Sequence, residues 1–117
     1  AKGLGSAKQG SHHWWLQRVT AIALIPLVLW FVFCVVGLVG AGYEEAVAWV
    51  ASPFNTVLLI AFLWAMFYHL SLGLQVVIED YVHEELLKFS GLISMRLAAA
   101  LLGLAGAVAV LRIGLGA

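Results

Sequence analysis

Charge is what this sequence has least of. Only 10% of its 117 residues are Asp, Glu, Lys or Arg, while 64% are hydrophobic. A soluble domain carries roughly a quarter charged residues, so a chain this apolar needs lipid over its surface. It also lacks a bias of sign, with six basic and six acidic residues and a net charge of zero. That balance argues against a nucleic-acid partner. The single cysteine, Cys34, excludes an intrachain disulfide and reads as a small apolar filler. No alternating apolar–polar runs suggest strands, and no internal repeat is visible. The opening residues, polar and glycine-rich, carry neither the apolar core nor the cleavage pattern of a signal peptide, so none is expected.

The places where charge is missing define the architecture. No charged residue stands between Arg18 and Glu44, between Glu45 and Glu79, or between Arg96 and Arg112. A helix needs about 20 apolar residues to cross a bilayer. The first two gaps meet that length alone, and the third does so if Arg96 snorkels towards the headgroups. The expected fold is all-α and integral to the membrane, a single anchor domain over 1–117 with spans at about 19–41, 54–78 and 93–111. Residues 1–11 read as a flexible tail. Pro26 falls inside the first span, where it kinks rather than breaks a helix. Residues 43–51 form a connection, partly helical along the interface, followed by Ser52 as N-cap and Pro53 at the first helical position. Residues 79–88 form the second connection. Gly103 and Ala107 make a small-xxx-small pair at which another helix can approach closely. Lys2, Lys8 and Arg18 before the first span, against Glu44 and Glu45 after it, place the N-terminus inside.

Few polar groups interrupt the spans, and those few are the candidates for chemistry. His69 lies near mid-membrane, where an ionisable side chain is costly and suggests function. It is either a histidine hydrogen-bonded to a neighbouring helix or a haem axial ligand, since neutral imidazole suits haem iron. Gly73, four residues on and on the same face, leaves room for a macrocycle or for a packed helix. No second histidine stands at that depth, so a bis-histidine haem needs a ligand from another chain. Asp80 follows His69 by 11 residues, close to three turns, on roughly the same face. Beside it, Tyr81 offers a phenolic O–H at the membrane edge. The pair reads either as an interfacial anchor or as a donor and proton relay for a quinone. Arg18 suits a carboxylate such as a haem propionate, or the membrane surface itself. His12 and His13 beside it are too few for a metal site of their own.

Two stretches, HHWWLQRVTAIAL (12–24) and HLSLGLQVVIEDYVHEE (69–85), resemble the family of hydrophobic membrane anchor subunits of succinate dehydrogenase, respiratory complex II. The family's His-x-x-x-Gly followed seven residues later by Asp-Tyr fits His69, Gly73, Asp80 and Tyr81 without a gap. Its histidine six residues before an R-x-T-A segment fits His12 and Arg18-Val19-Thr20-Ala21. The resemblance implies that His69 is one axial ligand of a haem b shared with a cytochrome b subunit. It implies that Arg18, with His12 or His13, lies near the propionates. It also implies that Tyr81 hydrogen-bonds a ubiquinone carbonyl with Asp80 alongside. The implied partners are the cytochrome b membrane subunit, the iron–sulfur subunit and the flavoprotein, and the implied location is the bacterial inner membrane, ahead of the mitochondrial one. The alternatives are a quinol:fumarate reductase anchor and a small structural or assembly protein without a cofactor.

Overall fold

The computed structural model describes residues 2–116, with side chains from 11 onward. Among them every regular element is a helix. These are α1 (Lys2–Gly37), α2 (Tyr43–Ala51), α3 (Pro53–Tyr81) and α4 (Glu85–Gly114). Three are long and apolar enough to cross a membrane, counting α1 from Ser11. In hydrocarbon each backbone N–H and C=O must find its partner within the segment, and an uninterrupted helix is how each span does so. The fold class is as the charge gaps indicate: an all-α, multi-pass membrane protein.

The boundaries differ from the sequence expectation in an instructive way. Each expected span is shorter than the helix that carries it. α3 continues through Glu79 and Asp80 to Tyr81, and α4 already begins at Glu85, leaving Val82–Glu84 as the connection. Helix propagation adds one hydrogen bond per residue, and a charged residue ends a hydrophobic stretch without ending a helix. The same holds at the start, where the helical backbone of α1 begins at Lys2 and takes in the stretch read as a flexible tail. α1 also runs through Pro26 without a break. It stops at Gly37, four residues short of the expected end, in a turn where Gly40 takes φ 85°, a conformation a side chain disfavours.

Residues 43–51 are indeed helical. α2 is fastened to the start of α3 by Asn55 Nδ2 donating to the Trp49 carbonyl (2.9 Å) and Thr56 Oγ1 donating to the Val50 carbonyl (2.7 Å). Trp49 also stacks on Trp30 of α1 (centroids 5.6 Å apart). Ser52 does stand at the N-cap of α3 with Pro53 following, but its side chain makes no capping bond.

α3 is the axis of the structure. α1 and α4 both pack on it, and among the described residues their backbones do not come within 8 Å of each other. At ~100° per residue, α3 turns one side towards α1 through Phe62 and His69, which meet Phe31 and Thr20. The opposite side faces α4 through Thr56, Leu63, Phe67 and Ile78, which meet Gly114, Gly106, Gly103 and Gly91. The only buried residues among those described are Thr20, Leu59, Ala65 and Leu72. So small a core does not sustain a fold in water; most of each helix is left for lipid or for other chains.

Candidate functional site

His69 stands two residues from the midpoint of α3, a 29-residue helix. Such a helix is ~44 Å long against ~30 Å of hydrocarbon. Centred on the bilayer, such a helix would hold His69 near mid-depth and carry its last turn, with Asp80 and Tyr81, to the headgroup layer.

The half-buried His69 ring is not free. Its Nδ1 lies 3.0 Å from Thr20 Oγ1 across the α1–α3 seam. Thr20 is fully buried, and its hydroxyl also donates back to the Leu16 carbonyl at 2.7 Å, with the Gln17 carbonyl at 3.2 Å. A threonine in a lipid-embedded helix returns its proton to the preceding turn in this way. Ala65, one turn before His69, is 1% exposed, and a small residue at such a position lets a neighbouring helix approach closely. His69 Nε2 makes no hydrogen bond among the described residues. A Cβ built on Gly73 meets nothing within 4 Å, so the surface one turn beyond His69 is open.

Asp80 and Tyr81 are both exposed in the last turn of α3. Asp80 is ~20° round the helix from His69 and ~16 Å along it, whereas Tyr81 is ~120° round. His69, Gly73 and Asp80 thus share one face of α3, and Tyr81 projects to its flank. Neither side chain is hydrogen-bonded among the described residues.

Arg18 and the histidine pair, neighbours in sequence, look different ways. Arg18 is exposed, ~160° round α1 from Thr20, with its guanidinium over the Trp14 ring at 5.2 Å. His12 and His13 instead line a groove of about 790 Å³ with Trp15, Tyr68, Gln75 and Arg96. His13 Nε2 and, one turn on, Gln17 Oε1 are buried without a hydrogen-bond partner among the described residues. No hydrogen bond or ion pair joins Arg18, His12 or His13 to His69 among the described residues.

Two positions carry structure that sequence reasoning did not assign. Thr20 is one; its hydroxyl inside an uncharged span and its place in Arg18-Val19-Thr20-Ala21 mark it in the sequence, but neither names its partner. Gln75 is the other. It accepts from Arg96 Nη2 (2.8 Å) and donates to Glu79 Oε1 (2.8 Å), linking α4 to the end of α3. Beside it a cavity of about 570 Å³ separates α3 from α4, lined by Phe67, Tyr68, Ser71, Arg96 and Ala107 among others. No group of three or more His, Cys, Asp or Glu is gathered among the described residues.

Comparison with known proteins agrees with the architecture. The family model of the succinate dehydrogenase/fumarate reductase transmembrane subunit matches residues 1–113. A succinate dehydrogenase hydrophobic membrane anchor subunit of Rickettsia bellii is 38% identical over 94% of this chain and 88% of its own length. One of Paracoccus denitrificans is 32% identical over the whole chain and 90% of its own length. A succinate dehydrogenase membrane anchor subunit of Reclinomonas americana is 33% identical over 79% of each. With three membrane-length helices and a match across nearly its whole length, the chain belongs to the succinate dehydrogenase/fumarate reductase transmembrane subunit family and has the role of a membrane anchor.

Proposed function

We propose that this chain is half of a haem b site and part of a quinone site in a succinate:ubiquinone oxidoreductase, with His69 as one axial ligand. The observation that carries the reading is the state of that ring. It sits at mid-depth, its Nδ1 is engaged by Thr20, and open surface lies beside it at Gly73. One imidazole nitrogen is left for a ligand that comes from outside the chain. A purely packing histidine has no use for the open face. Haem b, when bound, would take up and release one electron. The second ligand would come from the cytochrome b subunit, because no other histidine of this chain is at that depth. Arg18, exposed and outside any ion pair among the described residues, would serve a propionate at the end of the bundle where α1 enters the membrane.

Ubiquinone would be met at the Tyr81 end of α3. Its reduction to the quinol takes two electrons, supplied by succinate through the flavoprotein and iron–sulfur subunits, and two protons. Tyr81 would donate a hydrogen bond to a quinone carbonyl, and Asp80, exposed at the headgroup layer, would pass protons inward. The location would be the bacterial inner membrane with the N-terminus inside. A quinol:fumarate reductase would use the same chain with the flux reversed.

A reduced-minus-oxidised visible spectrum of the intact complex tests the ligand. A b-type band is expected in the wild type and is lost in His69→Ala; a band that survives unchanged removes His69 from the site. For the quinone, Tyr81→Phe is expected to slow quinone reduction about tenfold, the worth of one ~1.4 kcal/mol hydrogen bond. Succinate oxidation with an artificial acceptor should persist.

A further inference from the structure

We propose that Thr20 is a positioning residue for His69: it fixes the imidazole as the Nδ1–H tautomer and turns the Nε2 lone pair outward, towards an iron. The inference rests on the reading of His69 as an axial ligand, but its own support is a count of protons. Thr20 Oγ1 has one hydrogen and two lone pairs. It faces the Leu16 carbonyl at 2.7 Å, the Gln17 carbonyl at 3.2 Å and His69 Nδ1 at 3.0 Å. The two carbonyls can only accept, so the hydroxyl proton belongs to one of them, and the shorter contact is Leu16. If that proton went to Nδ1 instead, two oxygens would stand 2.7 Å apart with nothing between them.

The remaining contact therefore needs its proton from the ring, and His69 Nδ1–H donates to Thr20. A neutral imidazole with its proton on Nδ1 has its lone pair on Nε2, the form a metal requires. Burial makes the arrangement firm. Thr20 is 0% exposed, so no water competes for either proton, and the back-bond to Leu16 holds the hydroxyl in one rotamer. An acceptor behind a ligating histidine both orients the ring and raises its basicity. A more basic ligand favours the oxidised metal, so Thr20 lowers the haem potential as well as aiming the ligand.

The test compares Thr20→Val, which keeps the shape and removes the hydroxyl, with Thr20→Ser, which keeps the hydroxyl. Both are made in the whole complex, with subunit content as the check on assembly. Two readouts do not depend on turnover: the rate at which haem passes to excess apomyoglobin, and the haem midpoint potential by redox titration. Thr20→Val is expected to lose haem about tenfold faster and to titrate at a higher potential, while Thr20→Ser stays near the wild type on both. If Thr20→Val matches the wild type in both, or Thr20→Ser fails as badly as Val, the positioning role is wrong. Should Thr20→Val not assemble, Thr20→Ala takes its place against Ser with the same expectations. A wild-type complex without haem, or a His69→Ala complex that keeps it, overturns the ligand assignment instead, so the two failures are distinguishable.

Discussion

The two seams on α3 are built for different ends. Towards α4 the contact is glycine against apolar or hydroxyl side chains: Gly103 on Phe67, Gly106 on Leu63, Gly114 on Thr56. The charged groups bonded across it are Arg96 and, through Gln75, Glu79, at one end. Towards α1 the contact at mid-depth is a hydrogen bond between a buried threonine and a histidine. In lipid there is no hydrophobic force to press helices together, so close packing of small residues does that work. A histidine at mid-depth does the opposite, because a polar group there adds cost unless it has a partner. One seam is thus sufficient in itself, while the other leaves half its chemistry facing outward. On the reading proposed above, an anchor needs both: a rigid pair of helices and a face that another chain completes.

The comparison breaks most severely if the glycine seam can be overfilled without consequence. A Cβ at Gly106 would stand 3.1 Å from Leu63 Cδ1 and 3.3 Å from Cδ2, and the rest of a larger side chain has no space. Gly106→Leu is expected to destabilise the bundle by about 1–3 kcal/mol. That would be read as a lower thermal midpoint of the complex and a lower yield of assembled subunits. Whatever complex does assemble should keep the wild-type visible spectrum, since Gly106 packs on Leu63 in the α4 seam and His69 lies in the α1 seam. A spectral change of the His69→Ala kind would show that the seams are not separate.

Gly114→Ala is a smaller perturbation of the same seam. Its Cβ would lie 3.0 Å from both Thr56 Oγ1 and Cγ2. Thr56 has little freedom to move, because its hydroxyl is bonded to the Val50 carbonyl and lies 3.0 Å from that of Ser52. The expected loss is about 1 kcal/mol, seen as a drop of a few degrees in the thermal midpoint. Replacing Thr56 by Ser removes the crowding methyl and keeps the hydroxyl, so Thr56→Ser should restore part of the loss. If the double variant is no better than Gly114→Ala alone, Thr56 is not what the added carbon meets.

How much of this was legible in the sequence follows the same division. The spans were legible because a bilayer demands long uncharged runs, and Arg18, Glu44, Glu79 and Arg112 bound those runs. The helix ends were not, because Glu79, Asp80, Glu85 and Lys88 fit comfortably into helical turns at the headgroup layer. His69 and Gly73 could be seen as a pair since they share a face of one helix, where spacing alone places them. Thr20 could not. Its partner is 49 residues away, and the pairing depends on the antiparallel register of α1 on α3, which no local pattern encodes. Gln75 was missed for the same reason, being meaningful only once Arg96 of α4 is beside it. Of the small-xxx-small pair, Gly103 packs on Phe67 and both Gly103 and Ala107 border the cavity, while the tighter approaches, at Gly106 and Gly114, were not singled out.

The smallest effect expected is at the one polar feature of the α4 seam. Arg96 is exposed and bonded to Gln75, which in turn bonds Glu79. Its position invites a large claim, since it is the only charge between Lys88 and Arg112. Exposed charged pairs, however, contribute about 0–1 kcal/mol, because headgroups, water and ions compensate for what is lost. Gln75 keeps its bond to Glu79 when Arg96 is removed, so no buried group is orphaned. Arg96→Gln is therefore expected to shift the thermal midpoint by no more than a degree or two and to leave the haem spectrum as it is. A loss as large as that of Gly106→Leu would mean that Arg96 holds something beyond Gln75. The cavity it borders, about 570 Å³ between α3 and α4, would then have to be counted with the unfinished face and not with the finished one.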